Sequence, residues 1–234
     1  MVLRGEIRTR TVQTAVTLTN AALGAIGHRP APDEPQTAAM LRDQLFVHGA
    51  LIGNPQALNF LTDQFNAFLS GSAIAPDIFR GVMTAGAVSG GRPALEAMIR
   101  RLEVSGVEHE RMTLASALGC FKPWPLLEES LDYTLEKVPD RIRFMPLVAA
   151  AGNPVAADRL WLWFVDNFPR IERMHPLLFE RVVAAFIPGP GLRDPDRTIT
   201  FCENLLQKQT RLKDVIALSL ERLEVNAGFR RREK

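Results

Sequence analysis

Histidine and cysteine, the residues most often used for metal binding and nucleophilic attack, are few and badly spaced for either chemistry in this sequence. His109-Glu110 would open a zinc-protease motif, but the second histidine one helical turn later is replaced by Thr113. Cys120 and Cys202 stand in unrelated contexts, which excludes a four-cysteine zinc site and a disulfide scaffold. We therefore predict no metal ligands and no catalytic residues in this chain.

Two glycine-rich segments also lack the surroundings that catalysis needs. Residues 70–72 and 88–91 combine serine with glycine, but neither follows a predicted strand, as a nucleophile elbow or a phosphate loop does. Cys120 and the aromatic residues of 161–164 belong to predicted helices or their ends, where core packing is the favoured interpretation. No pair of titratable groups therefore falls into a recognisable catalytic spacing.

An arginine recurs near the start of every second predicted helix, and this row is the main candidate for ligand binding. If the helices stack as a solenoid, equivalent positions align on one face. Guanidinium groups in such a row would bind the carboxylate of a peptide through paired hydrogen bonds. The alternative, which the sequence alone favours, is that the arginines are solvated and paired with nearby acids. The row is Arg80, Arg111, Arg143 and Arg181, and the acids are Glu110, Asp140 and Glu180.

The elements that must position this row are helical. Leu127, Leu131 and Leu135 repeat at helical spacing, as do apolar residues throughout the chain, whereas strand signals are sparse. We predict an all-α fold of about twelve helices, each of roughly 9–20 residues. Segments of small residues end in Gly or Pro turns, whose prolines lie 38, 30, 31 and 41 residues apart. These prolines are Pro55, Pro93, Pro123, Pro154 and Pro195.

This period is typical of solenoids, so we predict an α-α superhelix of antiparallel helix pairs, similar to HEAT and armadillo repeats. The alternative is an irregular helical bundle with chance Gly-Pro turns. Small residues should let the following helix approach closely, and glycine or asparagine can take the left-handed conformation that ends a helix. The chain is predicted to be a single domain over 1–234, with a leading helix at 10–27, a proline-rich loop at 28–37 and stacked helix pairs over 38–230.

Composition excludes several classes of protein. The 234 residues carry 28 basic and 26 acidic side chains, a balance of +2 that does not favour nucleic-acid binding. No apolar run approaches the roughly 18 residues of a membrane helix, and the charged start lacks the apolar stretch of a signal peptide. We predict a cytoplasmic protein with reduced thiols and neither a nucleic-acid nor a membrane partner.

Two central segments resemble a known family. Residues 110–122, continued by leucines to Leu135, are similar to a segment in the C-terminal helical domain of the aminopeptidase-N family of zinc peptidases. Residues 149–154 with 160–168 resemble a second segment of that domain, and 22–27 with 41–45 resemble its opening. The resemblance covers roughly 10–230. The chain departs from it at 122–125, where Lys-Pro-Trp-Pro replaces an acid before the proline turn, and at 162–164.

The resemblance implies an accessory domain. In that family, the zinc and its ligands lie in an upstream catalytic domain of the same polypeptide, and the C-terminal superhelix closes over it and holds peptide substrate. We therefore expect a non-catalytic domain that caps the active site and shapes the peptide cavity, with no cofactor of its own and with zinc in the catalytic domain. No family motif assigns peptide contacts to residues here. The alternative is a stand-alone HEAT/ARM-like scaffold that binds a protein partner.

Overall fold

Twelve α-helices follow one another through the part of the chain that the computed structural model describes, namely residues 3, 5–153 and 157–232, and no strand occurs among these residues. The all-α prediction is confirmed. The helices are α1 (Gly5–Ile26), α2 (Gln36–Ile52), α3 (Pro55–Leu69), α4 (Pro76–Ser89), α5 (Gly91–Val104), α6 (Glu108–Leu118), α7 (Trp124–Lys137), α8 (Phe144–Ala151), α9 (Ala157–Ile171), α10 (Pro176–Phe186), α11 (Pro195–Lys208) and α12 (Lys213–Arg232).

The helices form two layers. Each even-numbered helix packs against the next even-numbered one, from α2 to α12, and these six make the even layer. The odd-numbered helices from α3 to α11 lie behind it and contact one another much less, while α1 packs on α2. The prediction of a solenoid-like α-α superhelix is confirmed, and the even layer is the more closely packed of its two layers.

The backbone conformations of the turns between helices agree only in part with the roles predicted for glycine and asparagine. Gly53 ends α2 in the left-handed conformation at φ 79°, and the Asn54 side chain then caps α3 by accepting hydrogen bonds from the backbone N–H groups of residues 56 and 57. Gly119 and Gly152 end α6 and α8 instead with right-handed backbone, at φ −79° and −82°. Glycine therefore does not supply a left-handed helix end at these two positions.

At Gly119, glycine instead permits a close approach between helices. A β-carbon there would lie 2.2 Å from the carbonyl oxygen of Pro146 and 2.7 Å from the backbone nitrogen of Ala150, both in α8. The helix that approaches is thus α8 of the same layer, and not α7, which follows in the sequence. The side chain of Asn153 crosses the same junction and donates a hydrogen bond to the carbonyl oxygen of Phe121 at 2.8 Å. Small residues therefore set the spacing within the even layer.

One continuous hydrophobic core runs between the layers. The aromatic residues of α9 belong to it, as predicted: Trp161, Trp163 and Phe164 are buried. The ring of Phe164 stacks on that of Phe186 with centroids 4.5 Å apart, and the Trp163 indole N–H donates to the Asp132 carboxylate. These contacts pack α9 against α10 and α7, so the three rings belong to the core and do not form a ligand-binding cage.

Candidate functional site

A long depression follows the exposed face of the even layer. Its first half, with a volume of about 570 Å³, lies between α2, α4, α6 and α8, and its second half, of about 660 Å³, lies between α8, α10 and α12. Val148 and Gly152 line both halves, so the two halves adjoin at α8. We call it the trough. Because its lining comes from the six even-numbered helices, α2 to α12, the trough suits an extended chain better than a compact ligand.

The two halves of the trough differ in chemistry. The first half is lined by two methionines, Met112 and Met145, together with Arg80 and His109. Methionine adapts to varied apolar side chains because its chain is flexible and its sulfur polarizable. The second half has a wall of apolar and small residues, including Phe144, and two arginines, which are Arg181 and Arg222.

Only two of the four arginines in the predicted row line the trough. Arg80 and Arg181 line the trough, in its first and second halves. Arg143 does not line it, because its guanidinium donates to the carbonyl oxygen of Val138 at 2.9 Å and pairs with Asp140 at 2.7 Å. Arg111 lies on the other side of α6 from the residues that face the trough.

The placement of Arg111 follows from helical geometry. His109, Met112 and Ser116 are three and four residues apart, and therefore share the face of α6 that lines the trough. Arg111 falls roughly opposite them, where its charge acts on the Tyr133 hydroxyl of α7. Its Nε is buried and has no hydrogen-bond partner among the described residues. Glu110, proposed as a partner for this row, pairs with Arg101 instead, at 2.7 Å.

Arg181 and Arg222 are the arginines best placed to bind an anion. The Arg181 guanidinium lies over the ring of Phe144, 5.1 Å from its centroid, which orients it at the mouth of the second half. Neither arginine makes an ion pair with any described residue, unlike Arg80, which pairs with Asp43 at 2.9 Å. Two guanidinium groups beside an apolar wall can bind a carboxylate and an adjoining apolar side chain together.

Arg222 is absent from the predicted row although the sequence holds a signal for it. It stands in α12, the last even helix, where the turn pattern is weakest. The positions 181 and 222 are 41 residues apart, which is the spacing between the last two turn prolines. The rule used for the row would still have missed it, because Arg222 is the tenth residue of α12 and does not stand near its start.

No catalytic or metal-binding arrangement occurs in the described part of the chain. No group of three or more His, Cys, Asp or Glu side chains is close enough to hold a metal ion there. No described helix is long and apolar enough to cross a membrane. Both cysteines are buried, as predicted for Cys120.

The buried thiols give a first testable prediction. Burial raises the pKa of Cys120 and of Cys202 to about 12, so the reactive thiolate is scarce at neutral pH. We expect N-ethylmaleimide to modify neither cysteine in the folded protein and both after unfolding in urea, as followed by intact mass. Because Cys120 lies in the wall of the trough, its rapid modification in the folded protein would show that this wall opens.

Comparison with known proteins places the chain in a family. The family described as ERAP1-like C-terminal domain matches residues 3–223, which is nearly the whole chain. The chain belongs to the ERAP1-like C-terminal domain family. This confirms the resemblance to the C-terminal domain of zinc aminopeptidases, and makes the protein an aminopeptidase-related accessory domain. No curated protein matches the chain.

Proposed function

We propose that this ERAP1-like C-terminal domain covers the active site of a zinc aminopeptidase domain in the same polypeptide and shapes the cavity that receives peptide substrates. Zinc and the general base belong to that catalytic domain. The observation that carries the proposal is the trough, which combines an adaptable apolar half with a half whose two arginines form no ion pair with any described residue. A wall of this kind acts by position and charge: it limits the length of a bound peptide and fixes its direction.

The trough also supports a direction for the peptide. A free carboxylate at Arg181 and Arg222 gains charge-assisted hydrogen bonds, while the residues before it extend along α8 toward Met145 and Met112. The amino end of a peptide bound in this way points away from the arginines. An aminopeptidase acts on that free amino end.

Peptide binding to this chain tests the carboxylate contact. We expect a fluorescent peptide with a free carboxylate to bind the chain about tenfold or more tightly than its C-terminal amide, because charged hydrogen bonds are worth roughly 1.5–3 kcal/mol. The double variant Arg181→Gln/Arg222→Gln should lose this difference in fluorescence anisotropy. The control, Arg100→Gln/Arg197→Gln, removes the same charge from exposed positions on α5 and α11 and should keep it.

The cavity-shaping part of the proposal is tested in the full-length parent. Arg181→Gln/Arg222→Gln should raise KM for long peptides and leave hydrolysis of a short aminoacyl substrate unchanged, because the short substrate does not reach the trough. Equal effects on both substrates would contradict a role in binding the distal end. Hydrolysis of aminoacyl substrates by the purified chain alone, abolished by a chelator, would overturn its assignment as an accessory domain.

A stand-alone scaffold for a protein partner is the second candidate, and one observation favours it. Helix α12 exposes Leu218, Val225 and Phe229, which are spaced seven and four residues apart on one face. An exposed apolar face of this kind is typical of a surface that binds another protein. Tight association with a separate protein, combined with no preference for a free peptide carboxylate, would favour the scaffold over the peptidase domain.

A further inference from the structure

Arg80, in the first half of the trough, pairs with a carboxylate whose environment is unfavourable for a negative charge. Asp43 of α2 pairs through Oδ2 with Arg80 of α4 at 2.9 Å, and its side chain is only 17% exposed. The other oxygen, Oδ1, is buried and has no hydrogen-bond partner among the described residues. A buried carboxylate normally has both oxygens satisfied, because an unmade hydrogen bond to a charged group is costly.

The charged groups around Asp43 act in opposite directions. Burial raises the pKa of the Asp43 carboxyl, Arg80 and His109 lower it, Asp77 raises it further, and the net shift is upward. Arg80 and Asp77 lie on α4 and His109 on α6, while no charged group of α1 or α3 within the described chain contributes. The site therefore disfavours the charge of Asp43, and its proton affinity is higher than that of an exposed aspartate.

Arg80 belongs to both the ion pair and the trough. Its side chain is 41% exposed and lines the first half, where it is the counterpart of Arg181 in the second half. Arg181 has no ion pair with a described residue, so the two arginines differ in one respect: Arg80 has a carboxylate competitor inside the protein. A ligand carboxylate that approaches Arg80 has to displace or share that competitor.

We propose that Arg80 is a second carboxylate-binding arginine of the trough, occupied by Asp43 near neutral pH and released to ligand when Asp43 takes up a proton. This rests on the proposed function, and adds to it a proton-dependent regulation of the first half. The proton adds to the Asp43 carboxyl, its ion pair with Arg80 is lost, and the guanidinium gains a hydrogen bond to the ligand carboxylate. Binding at this position therefore takes up a proton, and acid favours it.

The test uses acetyl-Ala-Ala with a free carboxylate as the probe, its amide as a control, and the methionine methyl and phenylalanine ring resonances of the full chain in NMR. Met112 lines only the first half and reports on Arg80, whereas Phe144 lines only the second half and reports on Arg181 and Arg222. We expect the affinity read at Met112 to rise severalfold as the pH falls from about 7.5 to about 5, because binding at this position takes up a proton. Calorimetry in two buffers of different ionisation enthalpy should show proton uptake.

Three variants test whether Asp43, Arg80 or His109 is responsible for the pH dependence of probe binding. Asp43→Asn should bind the probe tightly at both pH values, with no proton uptake, and Arg80→Gln should not bind it at Met112 at either. His109→Gln should keep the pH dependence, because the proton in question is that of Asp43. An unchanged pH dependence in Asp43→Asn would overturn the proposal, as would normal binding in Arg80→Gln. The Phe144 signal distinguishes this inference from the proposed function. Probe binding seen only at Phe144 would leave the proposed function intact and would overturn the inference about Arg80.

Discussion

Replacing Arg42 with methionine is expected to lower the free energy of unfolding by about 3–5 kcal/mol, since it removes one member of a buried charge cluster. Arg42 of α2 is fully buried, although the sequence marks it only as one charged residue in an amphipathic helix. Its guanidinium makes two parallel hydrogen bonds to Glu34, at 2.7 and 2.6 Å, and a further bond to Asp77 at 2.5 Å. Equilibrium unfolding in urea gives the measurement.

The cluster matters because it joins three parts of the chain. Arg42 also donates to the carbonyl oxygens of Ile26 and Gly27, each at 3.0 Å, where α1 ends. It therefore holds the end of α1 and the loop containing Glu34 against α2 and α4. Methionine fills the space without donors, so both carboxylates and both carbonyl groups lose the hydrogen bonds that Arg42 donates to them. Arg42→Lys should give an intermediate loss, because an ammonium group cannot make the paired contact with Glu34.

A matched control separates burial from ion pairing. Arg92 of α5 makes the same two-bond contact with Glu129, at 3.0 and 2.8 Å, but both side chains are about half exposed. Arg92→Met should therefore change stability by no more than about 1 kcal/mol, as exposed ion pairs contribute little. Equal losses in the two variants would show that burial does not decide the energetic importance of Arg42.

The same cluster makes stability depend on acid. The hydrogen bond from Arg42 is the main reason why the pKa of Glu34 lies below its ordinary value. A lowered pKa in the folded state means that Glu34 stabilises the protein above its unfolded pKa, and that this contribution disappears as pH falls through the folded pKa. The Arg42→Met variant should lose less stability on acidification than the wild type. Urea midpoints measured from neutral to acidic pH would show this difference.

The fold was predictable because its signals repeat. Apolar residues at helical spacing occur in every segment, and the Gly and Pro turns recur with the period of a helix pair, so an error in one repeat does not change the conclusion. The burial of Arg42 carried no such signal. Its partners stand 8 residues before it and 35 residues after it, and only the packing of α4 on α2 brings Asp77 to its guanidinium.

The arginine row shows why a site is harder to predict than a fold. A residue turns by about 100° around the helix axis for each step along the sequence, and helix boundaries predicted from sequence are uncertain by about two to four residues. Arg80 is the fifth residue of α4 and faces the trough, whereas Arg111 is the fourth residue of α6 and faces α7. When the repeat is known only to within a few residues, the sequence predicts which layer of helices a side chain belongs to. It does not predict which face of its helix carries that side chain.

Gly119→Ala is expected to destabilise the protein by about 3 kcal/mol or more, at the upper end of what overpacking costs in a well-packed core. The added β-carbon would meet the Pro146 carbonyl oxygen at 2.2 Å and the Ala150 nitrogen at 2.7 Å. Both are backbone atoms of α8, so no side chain can rotate away, and α6 and α8 have to separate. Because the even layer is continuous, that separation would also widen the trough at its centre.

The next repeat supplies the control for this prediction. Gly152 ends α8 as Gly119 ends α6, with almost the same backbone angles, but its nearest contact for a β-carbon is the Ala149 carbonyl oxygen at an ordinary 3.4 Å. Gly152→Ala should be neutral or stabilising by up to about 1 kcal/mol, because alanine restricts the unfolded chain without straining this backbone. Urea unfolding of the two variants therefore compares the same substitution at the same position of successive repeats. If both lost stability equally, the backbone angle of a helix-ending glycine would be responsible, and the close approach of α6 and α8 would not be.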